Sequence, residues 1–467
     1  ILAYIQRDWQ GGFGQLNLDD PSKYAEGEKI DTSWPSVVFC GPALNATTGL
    51  TAGPKKFLWF DAIGRAMCIT AQAVWWLNGT VWESKLSLAA GELAEDLVEY
   101  KGILYIGLST TSGAVAKYYY TADGVTYTRT DLGDGIAERF IVAPNFAGTA
   151  EVLYKVKPAA TATTLPFGSN EVSQTTDGRT VAAGGVAWAS PNYIGDTSSV
   201  ITKLMLLQGN LLVGKSDGLY LLDNTGATLL LLPEQKLVRG FGTNWLTSTN
   251  GGGRLYALLG GRIWEWDSLT SFRSIDPFLQ TKGIDISYSC QGLAADFYGN
   301  LYAIYTMDAA FLEIVIYKGV NTGGLWAWHP WARWTQGSAM TTGALTVISH
   351  TAADFRLWFR QGTTANYIKL PEGHNPLAHT GDTLDVVTGG YIRTSYFTAP
   401  TRGWQKFLLS LITETEQCTA ARTITPKYRK DTETSFTAAA AAIITNGIVR
   451  TYLTSPLNFK RIQFELD

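Results

Sequence analysis

Four aspartates are the carboxylates best placed for glycoside hydrolysis, and all of them lie at or near predicted hairpin turns: Asp217, Asp267, Asp296 and Asp308. That chemistry needs two carboxylates at a defined separation across a cleft. Aspartate is also favoured at turns because its side chain bonds its own backbone, so we interpret the four as turn residues. GxSxG, HExxH and Walker-type sequences are absent. We therefore predict no catalytic residues and no enzymatic activity.

A tryptophan-rich run is the second candidate, because aromatic rings can stack on sugars: Trp326, Trp328, Trp331 and Trp334. Trp326 and Trp328 are two residues apart, which places them on one face of a strand. Packing between neighbouring sheets requires the same placement, and we favour packing. We expect Trp264 to be buried between sheets in the same way.

The residues that bind metals or form disulfides are sparse. The four cysteines are Cys40, Cys68, Cys290 and Cys418, without CxxC spacing, and the four histidines are His329, His350, His374 and His379. A disulfide or a zinc site would require the fold to bring distant positions together, so we interpret the cysteines as small buried apolar residues. His374 and His379 lie in a stretch that resembles a linker. We predict no metal site and no cofactor.

Composition excludes several classes of protein. The 467 residues are 46% hydrophobic with 16 tryptophans, which is incompatible with disorder. Charged residues make up 16% of the chain, and the net charge is −3. Nucleic-acid binding would need clustered Lys and Arg residues, and the sequence contains no such cluster. No apolar run approaches the roughly 18 residues needed to span a bilayer, and no signal-peptide pattern is visible.

The element that must position these residues is a recurring hairpin. Two apolar strands flank a turn in Gly209–Asp223, where Asp217-Gly218 is a strong turn signal. Similar hairpins begin at Gly102, Gly253 and Gly299. Gly253 follows Gly209 by 44 residues, and Gly299 follows Gly253 by 46. A hairpin that recurs every roughly 40–50 residues is typical of β-propeller blades.

We count about seven such units, with six or eight also compatible. The first begins near residue 56, and the others cover about 91–134, 139 onward, 186–235, 237–280, 285–335 and 338–373. Helical periodicity is nearly absent, and only Ala89 to Glu99 could form a short helix. The predicted fold is all-β, a β-propeller followed by a small C-terminal β-sandwich.

The predicted domains are 1–50, an extended N-terminal arm; 51–373, the propeller; 374–382, a linker; and 383–467, the sandwich. The arm carries Trp9, Phe13 and Trp34, so we expect it to cover an apolar surface of this chain or of a neighbour. The C-terminal strands alternate apolar and polar residues, which predicts one buried and one solvent-exposed face.

The turn at Tyr120–Tyr127 loosely resembles the Asp-box of sialidase-like propellers, in which an aspartate bonds its own turn. It lacks one spacer residue and has Tyr where the motif has Trp. The motif is structural even in enzymes, and neither the arginine cluster nor the Tyr-Glu pair of sialidases can be assigned here.

The chain resembles the β-propeller virion proteins of tailed bacteriophages over most of its length. The resemblance depends on Trp9-Gln10-Gly11-Gly12, on residues 188–196 and 214–220, and on Trp404-Gln405-Lys406-Phe407 preceding residues 427–431. It implies a non-enzymatic component of the virion tail or tail tip, such as a nozzle, hub or adhesin scaffold. The implied partners are copies of the chain in a symmetric ring and other tail proteins, with contact to host surface glycans left open. The alternative is a carbohydrate-binding or glycan-cleaving, sialidase-like propeller, because one fold supports many functions.

Overall fold

A computed structural model provides the coordinates. The structure describes every residue except 1–5, 7, 19, 111–116, 131–136, 158–169, 180–187, 197–198, 216, 224, 226–227, 234–244, 281–288, 309, 311, 341–343, 352–353, 372–377, 380–381, 384–385, 388 and 399–403. Within the described part the helices are two short 3₁₀ turns, Asp61–Ile63 and Pro277–Gln280, and no helix is long and apolar enough to cross a membrane.

Seven four-stranded antiparallel sheets form most of the described chain. Sheets 1 to 4 contain, in order, Lys56–Phe60, Arg65–Ile69, Ala73–Asn78 and Val81–Ser87; Glu92–Tyr100, Ile103–Thr110, Tyr119–Thr121 and Thr128–Arg129; Arg139–Pro144, Glu151–Val156, Glu171–Thr175 and Asn192–Tyr193; and Ile201–Leu207, Asn210–Lys215, Gly218–Leu222 and Thr228–Pro233.

Sheets 5 to 7 continue the series. They contain Ser248–Gly251, Arg254–Leu259, Arg262–Trp266 and Phe272–Ser274; Ser289–Ala295, Leu301–Thr306, Glu313–Thr322 and Leu325–Thr335; and Leu345–Thr351, Asp354–Gln361, Thr364–Lys369 and Asn45–Ala46. The sheets recur at the predicted spacing. Glycine marks the hairpin turns because these turns require positive φ: Gly253 has φ 76° and Gly299 has φ 83°.

The seven sheets close into a ring. The first strand of each sheet lies beside the first strand of the next, and the first strand of sheet 7 lies beside that of sheet 1. Seven hydrophobic clusters match this arrangement, since each joins two adjacent sheets. Between sheets 7 and 1, for example, the rings of Phe57 and Trp358 are 5.8 Å apart, and Trp82 packs edge-on against Trp358. The predicted β-propeller is confirmed, with seven blades.

The ring is closed by a strand from the N-terminal region. Asn45–Ala46 pairs with Thr364–Lys369 as the fourth strand of sheet 7. The predicted boundary at residue 50 is therefore wrong, because it separates this strand from the propeller. Its pairing partner lies at the far end of the propeller sequence, so no local sequence pattern indicates it.

The remaining strands form a C-terminal sheet, a ribbon and two short pairs. The C-terminal sheet contains Tyr24–Glu28, Tyr391–Thr394, Ile462–Leu466, Pro426–Lys430 and Thr437–Ala438 in spatial order, and the ribbon pairs Lys406–Thr415 with Gly447–Phe459. Ile30–Asp31 pairs with Phe39–Cys40, and Ala378–His379 with Asp382–Thr383. The predicted arm, 1–50, is thus not a separate unit, since Tyr24–Glu28 is an edge strand of the C-terminal sheet.

Two local predictions are corrected. Most of the proposed helix, residues 92–99, belongs to the innermost strand of sheet 2, Glu92–Tyr100, because pairing with Ile103–Thr110 buries Ala94 and Leu97. Trp264 packs against the cluster between sheets 4 and 5 but is only half-buried, whereas Trp266 is buried in that cluster. The predicted linker, 374–382, overlaps the short pair formed by Ala378–His379 and Asp382–Thr383. Its residues 374–377 and 380–381 lie outside the described residues.

Candidate functional site

The predicted turn role agrees with the contacts of two of the aspartates, Asp296 and Asp308. One carboxylate oxygen of Asp296 accepts hydrogen bonds from the backbone N–H groups of Tyr298 and Asn300, at 2.9 and 2.8 Å. Asp308 accepts from the N–H groups of Leu312 and Glu313 in the same way, at 2.8 and 3.0 Å. Both carboxylates therefore stabilise loops of sheet 6.

The other two predicted aspartates also have local contacts. The carboxylate of Asp217 accepts a hydrogen bond from the Tyr220 hydroxyl at 3.1 Å and lies 3.6 Å from the Lys215 amine. The backbone N–H of Asp267 bonds the carbonyl of Ser271 at 3.3 Å. In the Asp-box-like turn, Asp123 accepts from the N–H groups of Val125 and Thr126, which lowers the pKa of its carboxyl.

The tryptophan run is buried, as the packing interpretation expects. Trp326, Trp328, Trp331 and Trp334 expose between 1% and 8% of their surface. Trp328 lies in the cluster between sheets 5 and 6, and Trp334 lies between sheets 6 and 7. They do not form an open platform for sugars.

Residues of the N-terminal segment cover this part of sheet 6. The Phe13 ring stacks on Tyr317 at 5.2 Å, and the Phe13 N–H donates to the Trp328 carbonyl at 3.1 Å. Trp9 and Phe13 are themselves buried, at 8% and 7% exposure. The aromatic residues of the arm therefore cover a surface of their own chain.

A buried polar network joins this segment to sheet 6. The Lys318 amine donates to Asp31 at 2.9 Å, and the Trp331 indole N–H donates to the same oxygen at 3.2 Å. Burial acts to raise the pKa of Asp31, but the Lys318 charge and the hydrogen bonds from Ser33 and Lys318 together outweigh it and lower that pKa to about 2. Nδ1 of His329 lies 2.5 Å from the Thr32 hydroxyl, and burial lowers the His329 pKa to about 3.

The cysteines and the other histidines add no metal site. All four cysteines are free; Cys68, Cys290 and Cys418 are buried as predicted, whereas Cys40 is exposed. His350 and His379 lie on strands Leu345–Thr351 and Ala378–His379, and His374 lies outside the described residues. Among the residues that the structure describes, no three His, Cys, Asp or Glu side chains are grouped as a metal would require.

Ion pairs link the innermost strands near the propeller axis. Lys55 pairs with Glu95 at 2.9 Å, and Lys56 pairs with Asp96 at 2.5 Å, which joins sheets 1 and 2. Lys203 of sheet 4 lies in the same charge network. Desolvation, together with the charges of Lys56 and Arg139, lowers its pKa to about 8. These contacts tie blades together, and sequence reasoning did not identify them because the strands are far apart in the chain.

One face of the ribbon exposes large apolar side chains. Directly opposed residues of an antiparallel pair share a face, and the pairs Ile412–Arg450 and Glu414–Ile448 define one face of the ribbon. This face is exposed, with Ile412 at 52% and Ile448 at 71%. The opposite face carries Thr413, Thr415 and Thr451, which are buried at 8%, 3% and 9% exposure.

Further apolar residues extend this surface. Tyr452 lies on the same face and is 70% exposed; Phe407 and Leu409, beyond a register shift in the ribbon, are also exposed, at 63% and 53%. We call Ile412, Ile448 and Tyr452 the ribbon face. The predicted buried and exposed faces are present in this part of the ribbon, but large apolar residues lie on the exposed one. Exposed apolar surface of this kind marks interaction sites.

Comparisons with known proteins give no family. No known protein family matches the sequence, and no curated protein is similar to it. Solved structures similar to the chain include the extracellular domain of the putative hybrid two-component system BT3049 from B. thetaiotaomicron, with 10% identity, a TM-score of 0.47 and coverage of 93% of this chain and 58% of that one. The extracellular domain of the putative one-component system BT4673 from the same organism has 9% identity, a TM-score of 0.46 and coverage of 94% and 62%.

A third similar structure is BBS1N in complex with ARL6DN, with 12% identity, a TM-score of 0.45 and coverage of 71% of this chain and 95% of that one. A further structure of the BT4673 extracellular domain is matched over only 39% of its length. Similarity at this level carries no information about the function of this chain.

Proposed function

We propose that this chain is a non-enzymatic structural protein that assembles with copies of itself into a ring through the ribbon face. The observation that carries the proposal is the exposure of Ile412, Ile448 and Tyr452 on one face of the ribbon, while the threonines of the other face are buried beside the half-buried Leu411 and Val449. A sheet of a monomeric protein turns its apolar side chains toward the core. An outward apolar face therefore favours burial against another molecule.

A second copy is the partner that best fits the charges of this face. One acid and one base lie among its apolar residues: Glu414 is opposite Ile448, and Arg450 is opposite Ile412. Such a surface carries no net charge, so a different surface of the next copy can cover it without burying an excess charge. The whole chain has a net charge of only −3, so subunits would not repel one another strongly.

The propeller supplies a rigid support for that contact. Tyr24–Glu28 pairs with Tyr391–Thr394 of the C-terminal sheet, while the preceding Phe13 packs on sheet 6. The N-terminal segment therefore connects the C-terminal sheet to the propeller. The chain that follows sheet 7 makes the other connection. Symmetric rings are a common outcome when one surface of a subunit binds a different surface of the next.

We further propose that the ring is a component of the tail or tail tip of a tailed bacteriophage, together with other tail proteins. The support is the resemblance of residues 9–12, 188–196, 214–220, 404–407 and 427–431 to propeller proteins of those virions. A rigid propeller with an exposed apolar ribbon suits a part whose role is to hold a fixed place in an assembly.

Light scattering after size-exclusion chromatography tests the assembly. We expect the parent chain to form a discrete oligomer and Ile448→Lys to shift it to monomers, because a buried lysine without a partner opposes association. The matched control is Leu325→Lys, which changes an equally exposed apolar residue, at 72%, on the hairpin turn of sheet 6. A monomeric parent chain, or an oligomer unaffected by Ile448→Lys, would contradict the proposal.

Quantitative mass spectrometry of purified virions tests the location. We expect the chain to be present in a fixed number of copies per particle. Hydrolysis of glycans by the purified chain, measured as release of reducing ends, would favour the alternative of a glycan-cleaving propeller.

A further inference from the structure

A groove lies between sheets 5 and 6, at the end of the propeller where their first hairpins turn. It has a volume of about 250 Å³. We call Arg254, Tyr256 and Trp326 its inner wall, and Tyr298 and Asn300 its outer wall. Its remaining lining comes from Gly251, Gly252, Gly299, Val320 and Asn321. The groove lies within sheets 5 and 6 and does not involve the ribbon face.

The inner wall of the groove is held from behind by a buried carboxylate. Glu265 is 2% exposed and accepts from Arg254 at 2.5 Å and from the Trp326 indole at 3.3 Å. Arg273 donates to the other oxygen of Glu265 at 2.6 Å. Tyr256 packs edge-on against Trp326, with ring centroids 5.6 Å apart. These contacts fix the wall before any ligand arrives, which lowers the cost of binding.

The outer wall is equally well ordered. Asp296 holds the turn of Tyr298 and Asn300 through their backbone N–H groups, and it also accepts from the Asn300 side-chain amide at 2.7 Å. Tyr298 is nevertheless 48% exposed. A rigid turn that presents a half-exposed aromatic ring beside a polar groove provides a surface on which a flat ligand face can stack.

Two amide groups supply unused hydrogen-bonding capacity at the groove. The Asn321 side-chain oxygen accepts from the Gly324 N–H at 2.8 Å, but its NH₂ group donates to no described residue. The Asn300 NH₂ group donates to Asp296, whereas its side-chain oxygen has no partner among the described residues. A donor and an acceptor are therefore both available to a ligand. Glycine at positions 251, 252 and 299 keeps the rim free of side chains.

We propose that this groove binds one neutral pyranose unit of a glycan. A pyranose has an apolar face that stacks on aromatic rings and hydroxyl groups that both donate and accept hydrogen bonds, which matches Tyr298, Asn321 and Asn300. The groove is smaller than the pockets that bind drug-sized ligands, which suits a single sugar ring. The positive charge of Arg254 is offset by Glu265, with exposed Asp267 also nearby, so an acidic sugar gains no clear advantage.

Saturation-transfer NMR with the methyl glycosides of glucose, galactose and N-acetylglucosamine tests this proposal. We expect at least one glycoside to bind with a Kd of about 1 mM. Tyr298→Ala should weaken that binding about tenfold. Asn321→Asp keeps the oxygen that accepts from Gly324 and removes the donor, so it should weaken binding several-fold without unfolding the chain.

The matched control is Phe297→Ala. Phe297 is 73% exposed and adjacent to Tyr298, but its ring contacts Phe355 of sheet 7, at 4.8 Å. Its removal should leave sugar binding unchanged. The proposal is overturned if none of the three glycosides binds, if Tyr298→Ala and Asn321→Asp bind like the parent, or if Phe297→Ala weakens binding as much as Tyr298→Ala. Because the assembly state is measured separately, failure here leaves the ring proposal unaffected.

Discussion

Two long antiparallel strand pairs of similar length have opposite environments. The outer pair of sheet 6, Glu313–Thr322 with Leu325–Thr335, buries the aromatic residues of its second strand. The ribbon, Lys406–Thr415 with Gly447–Phe459, exposes the residues of the ribbon face. Both pairs carry enough apolar surface to require a cover.

The difference lies in what covers them. Sheet 6 packs between sheets 5 and 7, and residues 9–32 of the same chain complete its cover through Phe13 and the Asp31–Lys318 ion pair. Within the described part of the chain, nothing comparable covers Ile412 and Ile448. This chain covers the apolar strands of sheet 6 with a segment of its own. That makes the uncovered ribbon face the place to expect another molecule.

The largest effect is expected from the covered pair. Trp328→Ala should lower the free energy of unfolding by about 3–5 kcal/mol, because it removes a buried ring and leaves a cavity. It also removes the hydrogen bond from the Trp328 indole to the Ile275 carbonyl, at 2.7 Å. Urea denaturation measures the loss. Trp404→Ala is the control, since Trp404 is 72% exposed and its removal should have little effect; equal losses would show that burial does not distinguish the two regions.

The next effect concerns the ion pair that attaches the cover. Lys318→Met should cost about 3 kcal/mol, because it leaves Asp31 buried without its cation. The bonds from Ser33 and Trp331 to Asp31 remain and limit the loss. Lys157→Met is the matched control, because the Lys157–Glu171 pair at 3.2 Å is on the surface, where such pairs contribute little. Denaturation curves that show no difference between the two variants would contradict this account of the cover.

Acid should loosen the same attachment. The pKa of His329 is about 3 in the folded chain, against an ordinary value of 6.5, so as the pH falls below 6.5 the unfolded chain binds the proton first. Stability is therefore lost progressively between pH 6.5 and 3, on the order of 2–3 kcal/mol by pH 4. The pKa of Asp31 is about 2, against an ordinary value of 3.8, so the stability that this carboxylate contributes is lost only below pH 3.8.

The free energy of unfolding of the parent and of His329→Phe, measured between pH 7 and 4, should converge as the pH falls. Parallel curves would exclude His329 as the cause.

Sequence reasoning identified the propeller because its signal is local. Each hairpin carries its own glycine or aspartate turn, and the turns recur at the spacing of the blades, as at Gly253 and Gly299. The closing strand Asn45–Ala46 and the edge strand Tyr24–Glu28 have no such signal, since their partners lie in the last blade and in the C-terminal sheet. The groove residues are likewise brought together only by the packing of two sheets.

The ribbon face shows a different limit. Alternation in Lys406–Thr415 correctly indicates a strand with two unlike faces, but a period of two does not say which face is buried. The assumption that apolar residues face inward holds for a chain that is complete as a monomer. It fails at a surface that another molecule covers.

Substitutions in the ribbon face should have the smallest effect on the stability of the monomer. They also test directly whether the ribbon differs from the outer strand pair of sheet 6. Ile412→Thr with Ile448→Thr should change the free energy of unfolding by no more than about 0.5 kcal/mol in dilute solution, because both side chains are already in water. At concentrations where the parent chain assembles, its apparent stability should exceed that of the double variant, since association stabilises only the folded state.

Thr415→Ile is the control on the inner face. Thr415 is 3% exposed and donates to the Thr445 carbonyl at 2.9 Å, so the change should cost about 1 kcal/mol or more at any concentration. A loss above about 2 kcal/mol for the double variant in dilute solution would mean that the ribbon face is covered within the monomer, and the difference between the two strand pairs would then disappear.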